Sequence, residues 1–201
     1  MKQASRTEIW PPHEAFYICS MRFNTLSAAK SIQQVAAIFH VVQENSPENP
    51  VAALPVHSIL DDLQNVLIQA AAVSRYFWPV RSSHDWRGAQ LRGAFGIRDD
   101  NPLRSRDLRN SIEHFDERLD LFLEGDVTGY ILPEYVGPFD EPTGVPARLF
   151  RAYYVDKGIF ELLSQRFDIS PICEAILDVH RQLGKMDANG SRLRSQDAPP
   201  A

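Results

Sequence analysis

Two features that often define the class of a protein are scarce in this sequence: cysteine and long apolar runs. Only two cysteines occur in 201 residues. Cys19 and Cys173 both lie in apolar, helix-like segments, which predicts buried free thiols in a reducing compartment rather than a disulfide. No stretch approaches the roughly 20 apolar residues of a membrane span, and the N-terminal segment lacks a signal-peptide pattern. We therefore expect a cytoplasmic protein with no membrane contact.

Several catalytic and cofactor-binding motifs are also missing. The sequence contains no Gly-x-Ser-x-Gly, no Walker-type or dinucleotide glycine motif and no His-x-x-x-His. His114 does lie among four carboxylates on one helix-like segment. However, di-metal sites in helical bundles use Glu-x-x-His pairs, and no glutamate here is followed by histidine three positions later. We expect no metal site and no cofactor. The four carboxylates near His114 are Glu113, Asp116, Glu117 and Asp120.

The charge of the chain is unevenly distributed. The formal net charge is −5, so bulk charge does not predict binding to a polyanion. Residues 81–109, however, contain seven arginines and four aspartates, a local charge of +3. This segment is either a site that attracts phosphate or a solvated surface whose arginines pair with the aspartates. The sequence leaves both interpretations open.

Apolar residues recur at spacings of three and four in several segments, and 44% of the residues are hydrophobic, enough for a core. In the first segment, Phe16, Cys19, Phe23 and Leu26 begin the predicted core-facing stripe. In the second, the seven-residue repeat is typical of helices packed in a bundle. The predicted helices are 13–44, 55–77, 86–95, 102–124 and a last one from Ser170 to Leu183.

The segment 102–124 has the clearest helix signals. Asn101 is a suitable N-cap, Pro102 suits the first helical position, and Gly125 can adopt the left-handed conformation that ends a helix. A stripe of five apolar side chains predicts the buried face. On a helical wheel, an Arg, an Asn and a His point away from that stripe. The stripe is Leu108, Ile112, Phe115, Leu119 and Phe122, and the polar residues are Arg109, Asn110 and His114.

The region between this helix and the last one has a different composition. Residues 149–155 and 159–163 are rich in β-branched and aromatic residues and are separated by Asp156-Lys157-Gly158, which predicts a β-hairpin. Residues 130–132 could add a short strand. Ser170 and Pro171 are predicted to cap and begin the last helix.

The predicted fold is thus mainly α, an up-and-down four-helix bundle with a small antiparallel β-hairpin inserted before the last helix. We expect a single domain with short terminal extensions. The ranges are an N-terminal arm at 1–12, the bundle at 13–186 with the loop and hairpin insertion at 126–169, and a disordered tail at 187–201.

Arg109-Asn110-Ser111-Ile112-Glu113-His114 places an Arg five residues before a His, with Asn directly after the Arg. On a late helix of a predicted bundle, this motif resembles the signature of the HEPN family, Arg followed by four to six residues and then His. The motif covers six residues, and the resemblance in architecture covers about residues 13–185. Many toxins of this family have Tyr two residues after the His, whereas this chain has Asp116 there.

The resemblance implies a homodimer in which the 102–124 helices of two chains face each other. It also implies a metal-independent ribonuclease in which His114 transfers protons and Arg109 stabilises the phosphate charge. Asn110 would orient either the phosphate or the histidine by hydrogen bonds. For a toxin of this kind, the resemblance also implies an antitoxin as a protein partner of this chain. We further predict an RNA-binding surface of stacking and phosphate-binding side chains, formed by Trp86, Arg87, Arg92 and Arg106, with Phe95 beside them. For the two aromatics, Trp86 and Phe95, the sequence leaves packing in the core open as the alternative.

The alternative that the resemblance allows is a catalytically inactive HEPN-like bundle. Such a protein would act as a dimeric module that binds a nucleotide or a protein partner. In that case Arg109 and His114 would be ordinary surface residues, paired with nearby glutamates for a few tenths of a kcal/mol each.

Overall fold

A computed structural model describes residues 8–45, 51–125, 129–139 and 147–194. Over these residues the chain is mainly helical, with a small four-stranded sheet before the last helix, as the sequence predicts in outline. The α-helices are α1 (Pro11–Asn45), α2 (Val56–Phe77), α3 (Asp85–Phe95), α4 (Arg106–Glu113), α5 (Phe115–Glu124) and α6 (Ile169–Ala188). Short 3₁₀ turns occur at Val51–Ala53, Ser82–His84 and Pro102–Arg104.

The helical core forms where α1, α2 and α6 pack together. Asn65 of α2 donates hydrogen bonds to Ser27 and Ser31 of α1, at 3.2 and 2.9 Å, while Ser20 and Tyr76 bond at 2.5 Å. These pairs run in opposite directions along the two helices, so α1 and α2 are antiparallel. The predicted seam of α2 is confirmed, because every member from Leu60 to Phe77 is buried.

The predicted core face of α1 is wrong in its first half. Phe16, Cys19, Phe23 and Leu26 are exposed. The face that packs against α2 and α6 instead carries mostly small or compact side chains, which let the helices approach closely. Its buried residues are Glu14, Ile18, Met21, Thr25, Ala28, Ala29, Ser31 and Val35.

The predicted single helix 102–124 is divided. Asn101 does accept a hydrogen bond from Leu103 N at 3.0 Å, but it caps a 3₁₀ turn, and Ser105 caps α4 by accepting from Leu108 N at 3.3 Å. His114, at φ −116° and ψ 41°, separates α4 from α5. Gly125 is extended rather than left-handed.

The apolar stripe of this segment is therefore only partly buried. Leu108 is fully buried, Ile112 is half-buried, and α5 contains no buried residue. The hydroxyl of Ser111 donates to the carbonyl of Asp107 at 2.6 Å, a bond within α4 of the kind that bends helices. It lies one turn before the break at His114. The segment predicted as one bundle helix thus contributes α4 to the core, while α5 lies at the surface.

The inserted region forms a mixed sheet in the order β1-β2-β3-β4. The predicted hairpin is confirmed as the antiparallel pair β2–β3, joined by a turn in which Gly158 has φ 64°. The sheet has two further strands, because β4 pairs with β3 and a longer β1 pairs with β2 in parallel. The strands are β1 (Tyr130–Gly137), β2 (Ala147–Tyr154), β3 (Ile159–Leu162) and β4 (Gln165–Asp168).

The two ends of the described chain meet at Glu14. Its buried carboxylate accepts hydrogen bonds from Arg192 Nε at 2.7 Å and Leu193 N at 2.9 Å. Since α6 also continues to Ala188, residues 187–194 are not the disordered tail that we predicted. Residues 195–201 of that tail, and residues 1–7 of the predicted arm, lie outside the described residues.

The start of α6 differs from the prediction by two residues. The helix begins at Ile169 with Asp168 as its N-cap residue, and that side chain makes no capping hydrogen bond. Ser170 and Pro171 therefore lie inside the first turn rather than at its cap. The backbone N–H of Ile169 donates to the carbonyl of Gly158 at 3.0 Å, which joins the β2–β3 turn to the helix.

The two cysteines are free thiols in different environments. Cys19 is exposed, against our prediction of a buried thiol, whereas Cys173 is half-buried. Burial and the nearby Glu174 raise the pKa of the Cys173 thiol to about 11, so it is protonated at neutral pH and reacts slowly. Among the helices that the structure describes, none is both long and apolar enough to cross a membrane.

Candidate functional site: an arginine-lined cleft

A cleft of about 490 Å³ lies beside the turn that follows α2. Its walls come from that turn, from the 3₁₀ turn after residue 101 and from the first half of α4. Three arginines and an asparagine supply the polar side chains, and none of the carboxylates that the structure describes lines the cleft. The lining residues are Trp78, Pro79, Val80, Arg104, Arg106, Arg109 and Asn110.

The wall of the cleft formed by Trp78, Pro79 and Val80 is held in place by α3, which packs closely against the turn after α2. A Cβ atom added at Gly88 would lie 2.6 Å from the carbonyl oxygen of Phe77 and 2.6 Å from Cδ of Pro79. Only glycine fits there without displacing one of the two elements. The Phe77 carbonyl also accepts a hydrogen bond from Arg92, and the rings of Phe77 and Phe95 meet edge to face with centroids 5.4 Å apart. The turn is thus fixed from several sides.

Arg109 is the most firmly placed arginine of the cleft. It is half-buried, and its Nη1 donates to the carbonyl oxygen of Trp78 at 3.2 Å. Its Nε is buried and has no hydrogen-bond partner among the described residues. No described carboxylate forms an ion pair with Arg109, so its positive charge is not neutralised within this part of the chain.

Arg104 and Arg106 flank Arg109 with different surroundings. Arg104 Nη1 lies 3.2 Å from Oδ1 of Asp99 and donates to the Asp99 carbonyl, also at 3.2 Å, so part of its charge is offset. Arg106 is exposed, and within the described ranges it has no ion pair. Arg106, predicted from the sequence as a substrate-binding residue, therefore offers a free cation at the cleft.

His114 lies apart from the cleft, although Asn110 belongs to it. The imidazole is exposed at the break between α4 and α5, with Nδ1 3.5 Å from Oε2 of Glu117. The structure thus brings together Arg109 and Asn110 of the predicted catalytic group, and does not bring His114 to the same wall. The side chain of Glu113, a predicted partner of Arg109, lies outside what the structure describes.

Arg87 belongs to a second cleft of about 400 Å³ on the other side of the Pro79-Val80 segment. Its Nη2 donates to the carbonyl oxygen of Arg75 at 3.0 Å, and its guanidinium lies 5.8 Å from the ring centroid of Tyr17. Arg75 and Arg81 line the same cleft. Basic side chains therefore occur on both sides of one turn.

Trp86 and Arg92, the other predicted substrate-binding residues, line neither of these two clefts. Trp86 is half-buried against the core and donates from Nε1 to the Ser83 carbonyl at 3.1 Å. Arg92 lies 5.8 Å from the ring centroid of Trp78, in addition to its bond with Phe77. Arg92 thus supports the turn after α2, whereas Trp86 contacts the core and the 3₁₀ turn at Ser83.

The sequence interpretation missed the Trp78-Pro79-Val80 wall and Arg104. Pro79 follows the predicted helix 55–77, and Arg104 is one of the seven arginines of residues 81–109. The available signal was a Trp-Pro pair directly after a strongly periodic helix, followed within 30 residues by the basic segment. Such a signal gives composition but not the contact between the two segments, which depends on tertiary packing.

In the ranges covered by the structure, no group of three or more His, Cys, Asp or Glu side chains is arranged to hold a metal ion. The chemistry that the cleft offers is that of guanidinium and amide donors, which suits an anionic oxygen ligand such as a phosphate.

No family model, no curated protein and no solved structure matches this chain. The resemblance to the HEPN family thus rests on the motif and on the helical pattern alone, and it stays a prediction.

Proposed function

We propose that this chain binds the phosphate groups of a nucleotide unit, free or within RNA, in the cleft beside Trp78. The observation that carries the proposal is the set of three arginines, Arg104, Arg106 and Arg109, in a cleft that no carboxylate of the described residues lines. Arginine presents a planar fork of donors that matches phosphate oxygens and stays charged at all relevant pH values.

Size and lining support a nucleotide rather than a bare anion. Small-molecule sites usually have volumes of about 300–1,000 Å³, and this cleft has about 490 Å³. Trp78, Pro79 and Val80 supply an apolar wall next to the cations. A nucleotide combines an apolar ring face with a phosphate, so it uses both kinds of wall at once.

Titrations at several salt concentrations test the proposal, with labelled single-stranded RNA and nucleoside monophosphates as ligands. Wild type should show saturable binding that weakens with salt. For single-stranded RNA, Arg106→Ala should reduce the slope of log affinity against log salt by about 0.7, because one phosphate contact is lost. Arg98→Ala is the matched control, since Arg98 is exposed outside the cleft and lies 3.6 Å from Asp100. If none of these ligands binds saturably, the proposal is wrong.

A second proposal keeps the HEPN-like activity: a homodimeric, metal-independent ribonuclease built on a four-helix bundle. It is favoured by one observation. Arg109 and Asn110 line the cleft, and His114, the next residue of the motif, is exposed at the end of the same helix, where a second chain can approach it. Two 102–124 segments facing each other would place His114 of one chain near Arg109 of the other. His114 would then transfer protons, and Arg109 would stabilise the phosphate charge.

Cleavage is tested by incubating purified protein with total RNA in EDTA. We expect His114→Ala to slow cleavage by about 10²–10⁴-fold, the usual contribution of a general acid or base. His40→Ala is the control, because His40 is also exposed and lies 3.6 Å from a glutamate one turn away, but on α1. Equal cleavage by wild type and His114→Ala, or none by either, contradicts this second proposal. RNA binding without cleavage leaves the first proposal intact.

A further inference from the structure

The first half of α1 carries an exposed apolar stripe that faces away from α2 and α6. Phe16 is 72% exposed, Phe23 77% and Leu26 45%, and Cys19 is exposed between them. These positions recur at spacings of three, four and three, so they lie on one face of the helix. Soluble monomers rarely leave large side chains in such a contiguous array.

Aromatic contacts extend the stripe beyond the N-terminal end of α1. The rings of Trp10 and His13 have centroids 5.0 Å apart, and those of His13 and Phe16 are 6.4 Å apart. Trp10 is itself 61% exposed. The apolar surface therefore continues from Leu26 to Trp10. We call this surface, formed by Trp10, His13, Phe16, Cys19, Phe23 and Leu26, the α1 stripe.

The composition of the segments outside the described ranges offers the α1 stripe little apolar surface. Residues 1–7, 46–50, 126–128, 140–146 and 195–201 contain no aromatic, Leu or Ile residue. Apart from Ala and Pro, their only apolar residues are Met1, Val127 and Val145. A segment of such composition has too little apolar surface to bury two phenylalanines and a tryptophan.

We propose that the α1 stripe is the contact between two copies of this chain. A 3-4-3 spacing of apolar residues is the pattern by which one helix packs against another at a shallow crossing angle. The α1 stripe of a second copy can supply the partner helix, because a two-fold axis brings the same surface of both chains into contact.

The charge of the stripe agrees with a second copy. Between residues 15 and 29 the only charged side chain is Arg22, and it pairs with Asp187 of α6. Two identical surfaces can therefore meet without like-charge repulsion. A membrane-surface helix would instead need several lysines and arginines flanking its apolar face, and from Pro11 to Lys30 the helix offers only Lys30 besides the paired Arg22.

The area of the α1 stripe is also sufficient. Aromatic side chains present about 150–250 Å² each. At their exposed fractions, Trp10, Phe16 and Phe23 together with Leu26 offer roughly 500 Å² per chain. Two copies would bury roughly 1,000 Å² before any polar rim is added, which reaches the size expected of a specific interface.

The inference does not depend on the proposed ligand, because the α1 stripe lines neither arginine-containing cleft. It also differs from dimerisation through residues 102–124. The exposed leucines of α5, Leu121 and Leu123, are two residues apart, so they diverge around the helix instead of forming a stripe.

Light scattering on purified protein at micromolar concentration tests the inference. Wild type should have the mass of two chains, and Phe16→Ser/Phe23→Ser the mass of one. Leu121→Ser/Leu123→Ser is the matched control, with two leucines of 67% and 62% exposure removed from α5, and should stay dimeric. A monomeric wild type, or a dimer that survives the α1 substitutions, overturns the inference. Loss of the dimer only in the α5 variant assigns the contact to residues 102–124.

A measurement on the unmodified chain provides a second readout in case a variant fails to fold. Cys19 lies inside the α1 stripe, whereas Cys173 is half-buried and protonated at neutral pH. Alkylation of Cys19, followed by mass spectrometry, should slow as the protein is concentrated and the dimer forms. A rate for Cys19 that is independent of protein concentration across the same range contradicts the inference.

Discussion

The Arg109→Ala variant should bind the phosphate-bearing ligand about 10- to 100-fold more weakly than wild type, because hydrogen bonds to charged groups contribute about 1.5–3 kcal/mol. We expect the largest single-arginine effect here. Arg109 is half-buried and held by the Trp78 carbonyl, whereas Arg104 shares its charge with Asp99 and Arg106 is exposed. A held guanidinium loses less conformational freedom on binding than a mobile one. Fluorescence anisotropy with labelled RNA measures the change.

Two further variants separate a specific contact from bulk charge. Arg109→Lys keeps the charge and loses the planar fork of donors, so its affinity should fall between wild type and Arg109→Ala. Arg98→Ala removes the same charge from a position outside the cleft. Equal loss in Arg98→Ala and Arg109→Ala would mean that only net charge matters. Melting temperatures are recorded alongside, since the bond to Trp78 also contributes to folding.

The Gly88→Ala variant should lower the free energy of unfolding by about 2 kcal/mol. Alanine has the higher helix propensity, worth about 1 kcal/mol, but its methyl group would lie 2.6 Å from both the Phe77 carbonyl and Pro79. Overpacking of this kind typically costs 1–3 kcal/mol, and the contact atoms belong to the backbone and to a proline ring, which yield little. Urea denaturation gives the change in stability.

The Gly184→Ala variant should change the free energy of unfolding in the opposite direction in the same experiment. Gly184 is also inside an α-helix, but it is exposed, and a Cβ there would meet nothing within 4 Å. The substitution should stabilise the fold by about 0.5–1 kcal/mol through helix propensity alone. If Gly88→Ala also stabilised the fold, the close packing of α3 against the turn would not be a constraint. Ligand binding should fall in Gly88→Ala only, because the displaced turn forms one wall of the cleft.

Helix existence could be predicted from the sequence because periodicity reports amphipathicity directly. The prediction of the buried face is correct for α2, whose seam from Leu60 to Phe77 is both periodic and buried. In α1, two stripes compete, and we chose the one with larger side chains. The core uses the other, which contains Thr25, Ala28 and Ala29, because helices that approach closely need small residues at the contact. Periodicity alone cannot rank two stripes on one helix.

Of the terminal signals of segment 102–124, the capping by Asn101 is confirmed and the left-handed Gly125 is wrong, and the segment between them is not one helix. Asn101 caps a short 3₁₀ turn, and Ser105 provides a second start signal that we did not use. The break at His114 has no proline or glycine to announce it. Because the break changes the direction of the chain, the helical wheel that grouped His114 with Arg109 and Asn110 does not extend across it. That is why the cleft contains only two of the three predicted catalytic residues.

Predicting the cleft requires knowing which distant segments pack together, and a single sequence carries little of that information. Arg106, Arg109 and Asn110 were predicted as functional residues, and the structure places them beside the turn after α2. The opposite wall comes from Trp78 to Val80, about 30 residues earlier in the chain. Only the packing of α4 on α2, fixed by Leu108 and its buried neighbours, brings these segments together.

The pairing of α1 with α6 determines how the molecule would respond to mechanical force. Two side-chain contacts join the helices, Arg22 with Asp187 and Thr25 with His180, and Glu14 of α1 pairs with Arg192 just beyond the end of α6, all in antiparallel order. Tension applied at the two chain ends would load the Glu14 contact first and then each following contact in turn. The helices would separate like a zipper rather than slide past each other in shear, so a small force is enough to start opening the fold at its ends.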